Sequence, residues 1–509
     1  MVLQDVDLAR EGHKTFVVCT LGLVAIFLLA LQLRKALDTR AKLKHIPTVG
    51  SSGIIASWID ALKFVFYARE IIHEGYVKHY GSTFKVLLMD KWIIVVSGAE
   101  KLEDIRKSLC EQLSIMDAIN DLLQMDHTMG RCIAADPYHI DVLGDAMTPN
   151  IPACFADVHD EIKVAFRDNI PMFEEWTSVP LSEAIRQIVC RATGRIYIGL
   201  PICRDRDYIR LNIDFTKSVF LHACLLNHAP SLLKSILGPI FTPRNRASAQ
   251  IEKSLGSTIR ERLQQERVHG KDWPDKPNDL LSWFLDASNG NETRRTIPDL
   301  SSRLLSLNMA AIHTISDAFT TALYALAAHP GCLQALRSEV ESIIEEEGYT
   351  KVAMGKMAQL DSFMMEALRV YGSIGVFGLR RIARKEFVFS DGTIVPAGSY
   401  IAVPAFSANM DERSYKDPLE FKPWRFSEGG DDSRHPQLVS PGIHFMLFGY
   451  GKHLCPGRFL AVIELKIMMS HVLLNFDVKM DKVPPPTWIS EFVSIGRSNV
   501  LLRKRVRTP

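Results

Sequence analysis

Between Phe448 and Arg458 the chain reads FGYGKHLCPGR, then continues as FLAVIELKIMMSHVLLNF, an apolar run with helical character. One cysteine is thus set among Gly449, Gly451 and Gly457, with a phenylalanine seven residues upstream and a proline directly after it. A thiol that only filled core space would behave as a small hydrophobe and would need neither the glycines nor the proline. The glycines permit tight turns and the close approach of a flat group. The helix that follows would turn its first N–H groups and the positive end of its dipole towards Cys455, a setting that favours thiolate over thiol. A zinc site built from His444, His453 and Cys455 fits poorly, because it lacks a fourth ligand and matches no common structural zinc spacing.

A chain of 509 residues with 47% hydrophobic content can bury a large core around such a loop. Its formal net charge of +2 gives no electrostatic footprint for nucleic acid and excludes a disordered acidic class. The nine cysteines are scattered without a CxxC pair, which argues against a disulfide framework and for a reducing compartment. From Thr15 to Leu33 the chain carries no charge and is long enough at helical rise to span a bilayer. It reads as a transmembrane helix; a cleaved signal peptide fits less well, because no small-x-small site ends the run. Arg34, Lys35, Arg40, Lys42 and Lys44 follow it closely, so the positive-inside rule places the bulk of the chain in the cytosol. The expected organisation is a lumenal segment over 1–14, a membrane helix over 15–33, a basic and Pro/Gly linker over 34–53 that includes HIPTVGSSG, and one large globular domain over 54–509.

Within that domain, STFKVLLMDKWIIVVS from Ser82 to Ser97 predicts a hairpin turning around Met89, Asp90 and Lys91. A second strand-rich region, Phe387 to Pro404, contains a DG turn and two prolines suited to edge positions. Asp299 to His329 is apolar nearly all round and stops at Pro330, which predicts a long helix through the core. The fold class is mainly α with a minor β-sheet.

The spacing of Phe448, Gly451, Cys455 and Gly457 resembles the cysteine-ligand loop of the cytochrome P450 haem-thiolate superfamily. Two further motifs stand in that family's order. Glu366 and Arg369 in EALR resemble its Glu-x-x-Arg pair, and Pro423, Arg425 and Phe426 in FKPWRF resemble its Pro-x-Arg-Phe stretch, whose arginine joins the pair in a buried network. The resemblance covers essentially the whole chain. It implies the P450 fold, an N-terminal membrane helix and haem b, with iron ligated by the Cys455 thiolate, whose electron density favours O–O cleavage. It also implies that His453 and Arg381 contact haem propionates, with Arg380 as the runner-up. His453 stands where many members have arginine, as in fungal-looking members with KHxCPGR.

On the oxygen side, family members show small residues, then an acid and a threonine. Here AAIHT supplies Ala310, Ala311, His313 and Thr314, so histidine replaces the acid. The resemblance makes Thr314 and His313 the catalytic candidates, although a threonine inside a helix also bonds back to a carbonyl, and a satisfied core histidine is an equal reading of His313. The family's Trp-x-x-x-Arg is missing from Gly130 to Asn150, where His139 reads as a capping or surface histidine ahead of a propionate contact. The segments SIGVFG, AAIHT and WISEF are mainly apolar, which favours a hydrophobic small-molecule substrate with limited polar anchoring. AAIHT resembles fungal members that oxidise terpenoids, so a terpenoid of secondary metabolism is the first expectation. A fatty acid, polyketide or alkaloid, an isomerase or dehydratase on the same fold, and a haem or lipid binder without turnover stay open. The resemblance further implies electrons from NADPH through NADPH-cytochrome P450 reductase, contact with membrane lipid, and an endoplasmic reticulum location with a single membrane pass.

Overall fold

The structure, a computed structural model, describes residues 27–506 apart from residues 28, 29, 32, 52, 90, 230–232, 235, 239–243, 289, 373, 374, 428–435 and 441. Most of the expected membrane helix, Thr15 to Leu33, lies outside the described residues. Among the described residues no helix is long and apolar enough to cross a membrane.

The polypeptide is mainly helical with small sheets, as its patterning predicts. Helix α1 spans Ile54–Lys78 and buries Phe64, Ala68 and Ile72. Strands β1 (Thr83–Leu87) and β2 (Trp92–Val96) pair antiparallel, with Thr83 opposite Val96 and Leu87 opposite Trp92, forming the predicted hairpin. The short β3 is Leu113–Ser114. Four long helices follow: α2 (Thr148–Asn169), α3 (Leu181–Tyr197), α4 (Arg206–His228) and α5 (Arg244–His269). The core helix α6 is Ile297–Ala328, and α7 is Ala358–Tyr371. Strands β4 (Gly378–Ala383) and β5 (Tyr400–Val403) precede the last long helix, α8 (Arg458–Asn475).

The main sheet has the order β1-β2-β5-β4-β3. Only β2 and β5 run parallel. Both faces of β2 are covered, and successive side chains alternate between them. Ile93 and Val95 join the α1 residues, while Trp92, Ile94 and Val96 join Leu43, Ile46 and Ile105. The second strand-rich region divides. Phe387–Val388 pairs with Ile394–Val395 as a small hairpin, with Gly392 at φ +81°, whereas Tyr400–Val403 enters the main sheet beside β2.

Helix α6 starts where the Thr296 hydroxyl accepts the Asp299 N–H, an N-cap with proline in the first turn. It ends at Ala328, before Pro330, because proline cannot continue the ladder. It packs against α3, α4, α5, α7 and α8. Phe319, Ala322, Leu323 and Leu326 are essentially fully buried, and each such large apolar side chain contributes about 1.5–3 kcal/mol.

The contact between α1 and the sheet depends on Gly75, where an added Cβ would lie 2.4 Å from the Phe84 ring. Gly75→Ala should lower unfolding stability by about 1–3 kcal/mol through overpacking, measured by thermal or urea unfolding followed by circular dichroism.

Candidate active site

The Phe448–Arg458 loop is held by its own backbone. The Cys455 N–H donates to the Phe448 carbonyl at 2.9 Å, and the Gly449 N–H donates to Met446 at 3.0 Å. Gly449 and Gly451 both adopt φ +84°, the left-handed region that glycine enters without strain. At Gly451 a Cβ would also lie 2.6 Å from the Arg106 side chain. Gly457 differs, since its backbone is helical at φ −80°, and a Cβ there would sit 3.9 Å from the Cys455 sulfur. Its glycine therefore keeps space open beside Sγ and is not required for a turn.

Protein surrounds Cys455 closely, yet the residue keeps an accessible face. Burial pushes its thiol above the ordinary value; the Gly457 and Arg458 N–H groups and the Arg458 charge pull the other way without offsetting it. The expected thiolate-favouring field is thus present but weaker than desolvation. A cation at sulfur is what would complete the balance.

The buried network expected from EALR and FKPWRF is present. Glu366 is fully buried and accepts Arg369 Nε at 2.7 Å, Arg369 Nη2 at 2.9 Å, Arg425 Nε at 2.9 Å and the Lys422 N–H at 3.0 Å. Arg369 spends its remaining donors on the carbonyls of Asn409 and Pro418, each at 2.7 Å. Arg425 reaches the Lys416 carbonyl at 2.6 Å. Every charge in this cluster has partners.

Arg381 is the opposite case. It is 1% exposed, its Nη1 donates to the Arg380 carbonyl at 2.8 Å, and its buried Nε has no acceptor. Burial lowers this guanidinium to about 10, and among the described residues no carboxylate lies within ion-pair distance of it. Arg380 is committed elsewhere, 2.7 Å from Glu491. His453 lies near Arg381, with Nε2 3.1 Å from the Cys110 sulfur; burial, then the charges of Arg381 and Lys452, hold it below its usual range.

On α6, Ala310 and Thr314 stay accessible between buried turns, so the helix borders open space there instead of packed side chains. The Thr314 hydroxyl bonds back to the Ala310 carbonyl at 2.8 Å. His313 Nε2 lies 3.3 Å from Asp317 Oδ2, and its ring rests 4.7 Å from that of Phe220 on α4. Burial raises the Asp317 carboxyl above its ordinary value, opposed by His313, Arg186 and Arg497. His139 is neither a cap nor a surface residue. It is buried, with Nδ1 3.0 Å from Arg303 Nη1, and desolvation together with that arginine pushes it to about 4. In the SIGVFG segment, Val376 and Phe377 are buried, and Phe377 stacks on Phe64 at 6.2 Å.

The family model for cytochrome P450 matches residues 62–502 of the chain. The chain belongs to the cytochrome P450 family. A P450 monooxygenase of the fungus Postia placenta, number 103, is 39% identical over 471 residues, covering 90% of this chain and 93% of that one. Monooxygenase 151 of the same organism is 37% identical, covering 91% and 94%. CYP512U6 of Ganoderma lucidum is 31% identical, covering 87% and 88%. Among solved structures, retinoic acid-bound cyanobacterial CYP120A1 aligns with a TM-score of 0.68 at 19% identity, over 90% of this chain and 99% of that one.

This P450 is therefore a monooxygenase that uses haem-thiolate iron and receives electrons from a reductase partner. Its residues fit the group. The accessible Cys455 sulfur lies where N–H groups and Arg458 oppose the effect of burial, and the Arg381 guanidinium is buried with an unused Nε donor, as an anionic carboxylate such as a propionate requires. Sequence reasoning missed Cys110 and Asp317. The second carried a signal, since His and Asp four apart share one helix face.

Replacing Glu366 by Ala would leave Arg369 and Arg425 buried without their counter-charge, a loss of about 3–5 kcal/mol. The variant should be recovered haem-free and misfolded, as checked by haem absorbance per folded protein. A stable, fully loaded variant would contradict the assigned role.

Proposed function

We propose that this P450 inserts one oxygen atom from dioxygen into a hydrophobic small molecule, a terpenoid of a fungal secondary-metabolite pathway. The observation that carries the reading is the occurrence together of an accessible Cys455 sulfur and a buried Arg381 guanidinium whose Nε has no acceptor among the described residues. Cys455 would supply the thiolate that ligates the haem iron, with Phe448, Gly451 and Gly457 shaping its loop. Arg381 and His453 would hold the propionates. The bound group supplies oxygen activation, favoured by the thiolate.

The protein's part on the other side falls to α6. Ala310 leaves room beside the helix, and Thr314 Oγ1, now donating to Ala310, can turn towards bound ligand and pass a proton. His313 stands next in line, with Asp317 orienting its imidazole. The terpenoid assignment rests on the likeness of AAIHT to fungal members and on the apolar segments around it. NADPH-cytochrome P450 reductase is the electron donor. A membrane helix over 15–33 fixes the chain to endoplasmic reticulum lipid, with the catalytic domain over 54–509 in the cytosol.

The first test is the reduced, carbon monoxide-bound difference spectrum. A strongly red-shifted Soret band should appear in the native protein and vanish in Cys455→Ala, which should also lose NADPH-dependent oxygenation; a band retained in the variant would overturn the ligand assignment. Arg381→Met should keep its circular dichroism spectrum but bind haem more weakly, read from haem retention on dilution. Co-expression with terpene-cyclase products and mass spectrometry tests the substrate class, and no oxygenated product from any terpenoid would remove it.

A further inference from the structure

On the side of α8 that meets α3, Glu464 is 0% exposed. No cation among the described residues pairs with it. Lys466, two residues on, is committed to Asp361 at 2.7 Å and the Met354 carbonyl at 2.6 Å. From α2, the buried Glu161 is enclosed by Arg191 and Arg204. Among the described residues, the one donor that reaches Glu464 is the Thr193 hydroxyl of α3, 3.1 and 3.2 Å from its two oxygens. The remaining titratable neighbours also come from α3, namely Cys190 and Tyr197, one turn to either side of Thr193.

A single neutral hydroxyl is far less than a buried carboxylate needs, so the acid form is favoured. Burial raises Glu464 to about 8, with Thr193 acting in the opposite direction. Glu464 stands in the second turn of α8, which starts at Arg458 directly after the cysteine loop, and the buried Tyr197 lies between the two, its phenol raised first by burial and then by the charges of Glu464 and Cys455. The carboxyl and the proximal sulfur therefore share one neighbour, and charge on either side is felt there.

We propose that Glu464 is a redox-linked proton site, coupled across Tyr197 to the charge on the Cys455 thiolate and the iron it binds. The inference rests on Cys455 being the ligand. One electron from the reductase would add one negative charge to that unit. One proton from solvent, taken up by a Glu464 carboxylate to give the carboxylic acid, compensates it. Reduction should thus carry proton uptake wherever Glu464 is partly ionised.

The test is spectroelectrochemical titration of the haem-loaded full chain across pH 8, alongside its Glu464→Gln and Thr193→Val variants. In the native protein the potential should fall as pH rises through about 8, by at most about 59 mV per pH unit for a one-electron couple. In Glu464→Gln it should be independent of pH over that range, with the red-shifted carbonyl band intact. Thr193→Val removes the donor that favours the charged form, so its fall should move to higher pH. The infrared C=O stretch of a protonated carboxyl should be present below pH 8 and missing from Glu464→Gln. A pH-independent native potential, or an unchanged pH dependence in Glu464→Gln, would overturn the proposal. If Glu464→Gln fails to load haem, an unmoved transition in Thr193→Val would do so. Loss of the carbonyl band from the native protein would instead sink the ligation reading and this inference with it, whereas a flat potential with that band intact sinks this inference alone.

Discussion

A carboxylate without exposed surface must be enclosed by positive charge, and Glu366 meets that demand with residues from distant parts of the chain. Arg369 comes from its own helix, while Arg425 and the Lys422 N–H come from the stretch beyond Pro418. Through Arg369 the same cluster ties down the carbonyls of Asn409 and Pro418. The segment that leads to the cysteine loop is thereby fixed to α7. Removing any member leaves a charge behind, so the network acts as a unit.

Set beside this, Arg381 is informative because none of the described residues plays Glu366's role for it. Two buried arginines, 369 and 381, are each about 1% exposed. The first uses its donors on a carboxylate and backbone carbonyls, and the second keeps an unused Nε and a depressed affinity for its proton. A fold does not hold an uncompensated guanidinium at no cost. The carboxylates that the family's haem brings would compensate it. Cys455 shows the complementary imbalance, a sulfur raised by burial in a loop that already supplies N–H groups and a nearby cation.

Much of this was legible in the chain because it follows from local rules. The pairing of β1 with β2, the extent of α6 with its Thr296 cap and Pro330 stop, and the glycine-dependent turns at 449 and 451 are settled by alternation, capping and backbone freedom. Other features depend on what lies across the fold. His139 reads as a surface or capping residue on its own short helix, and it is the approach of Arg303 from α6 that makes it a buried acceptor. Gly457 reads as a turn residue, yet its backbone is helical and its role is to leave space beside the sulfur. The spacing of His313 and Asp317 puts them on one helix face, but that His313 turns its Nε2 to the carboxyl while its ring rests on Phe220 of α4 is a matter of packing.

By itself the sequence determined the family, through the spacing of Phe448, Gly451, Cys455 and Gly457 and the two arginine motifs, together with the mainly helical class. Those are statements about which residues occur at which separations, and backbone geometry converts separation directly into turns and helix faces. Which charges end up paired was decided only by tertiary structure. Arg380 and Arg381 are adjacent in sequence and alternate on one strand, so one reaches Glu491 while the other keeps a buried Nε without an acceptor among the described residues. Glu464 stays without a cation because α3 offers it only Thr193, Cys190 and Tyr197. Burial and partners are properties of packed helices, and no local pattern in the chain specifies them.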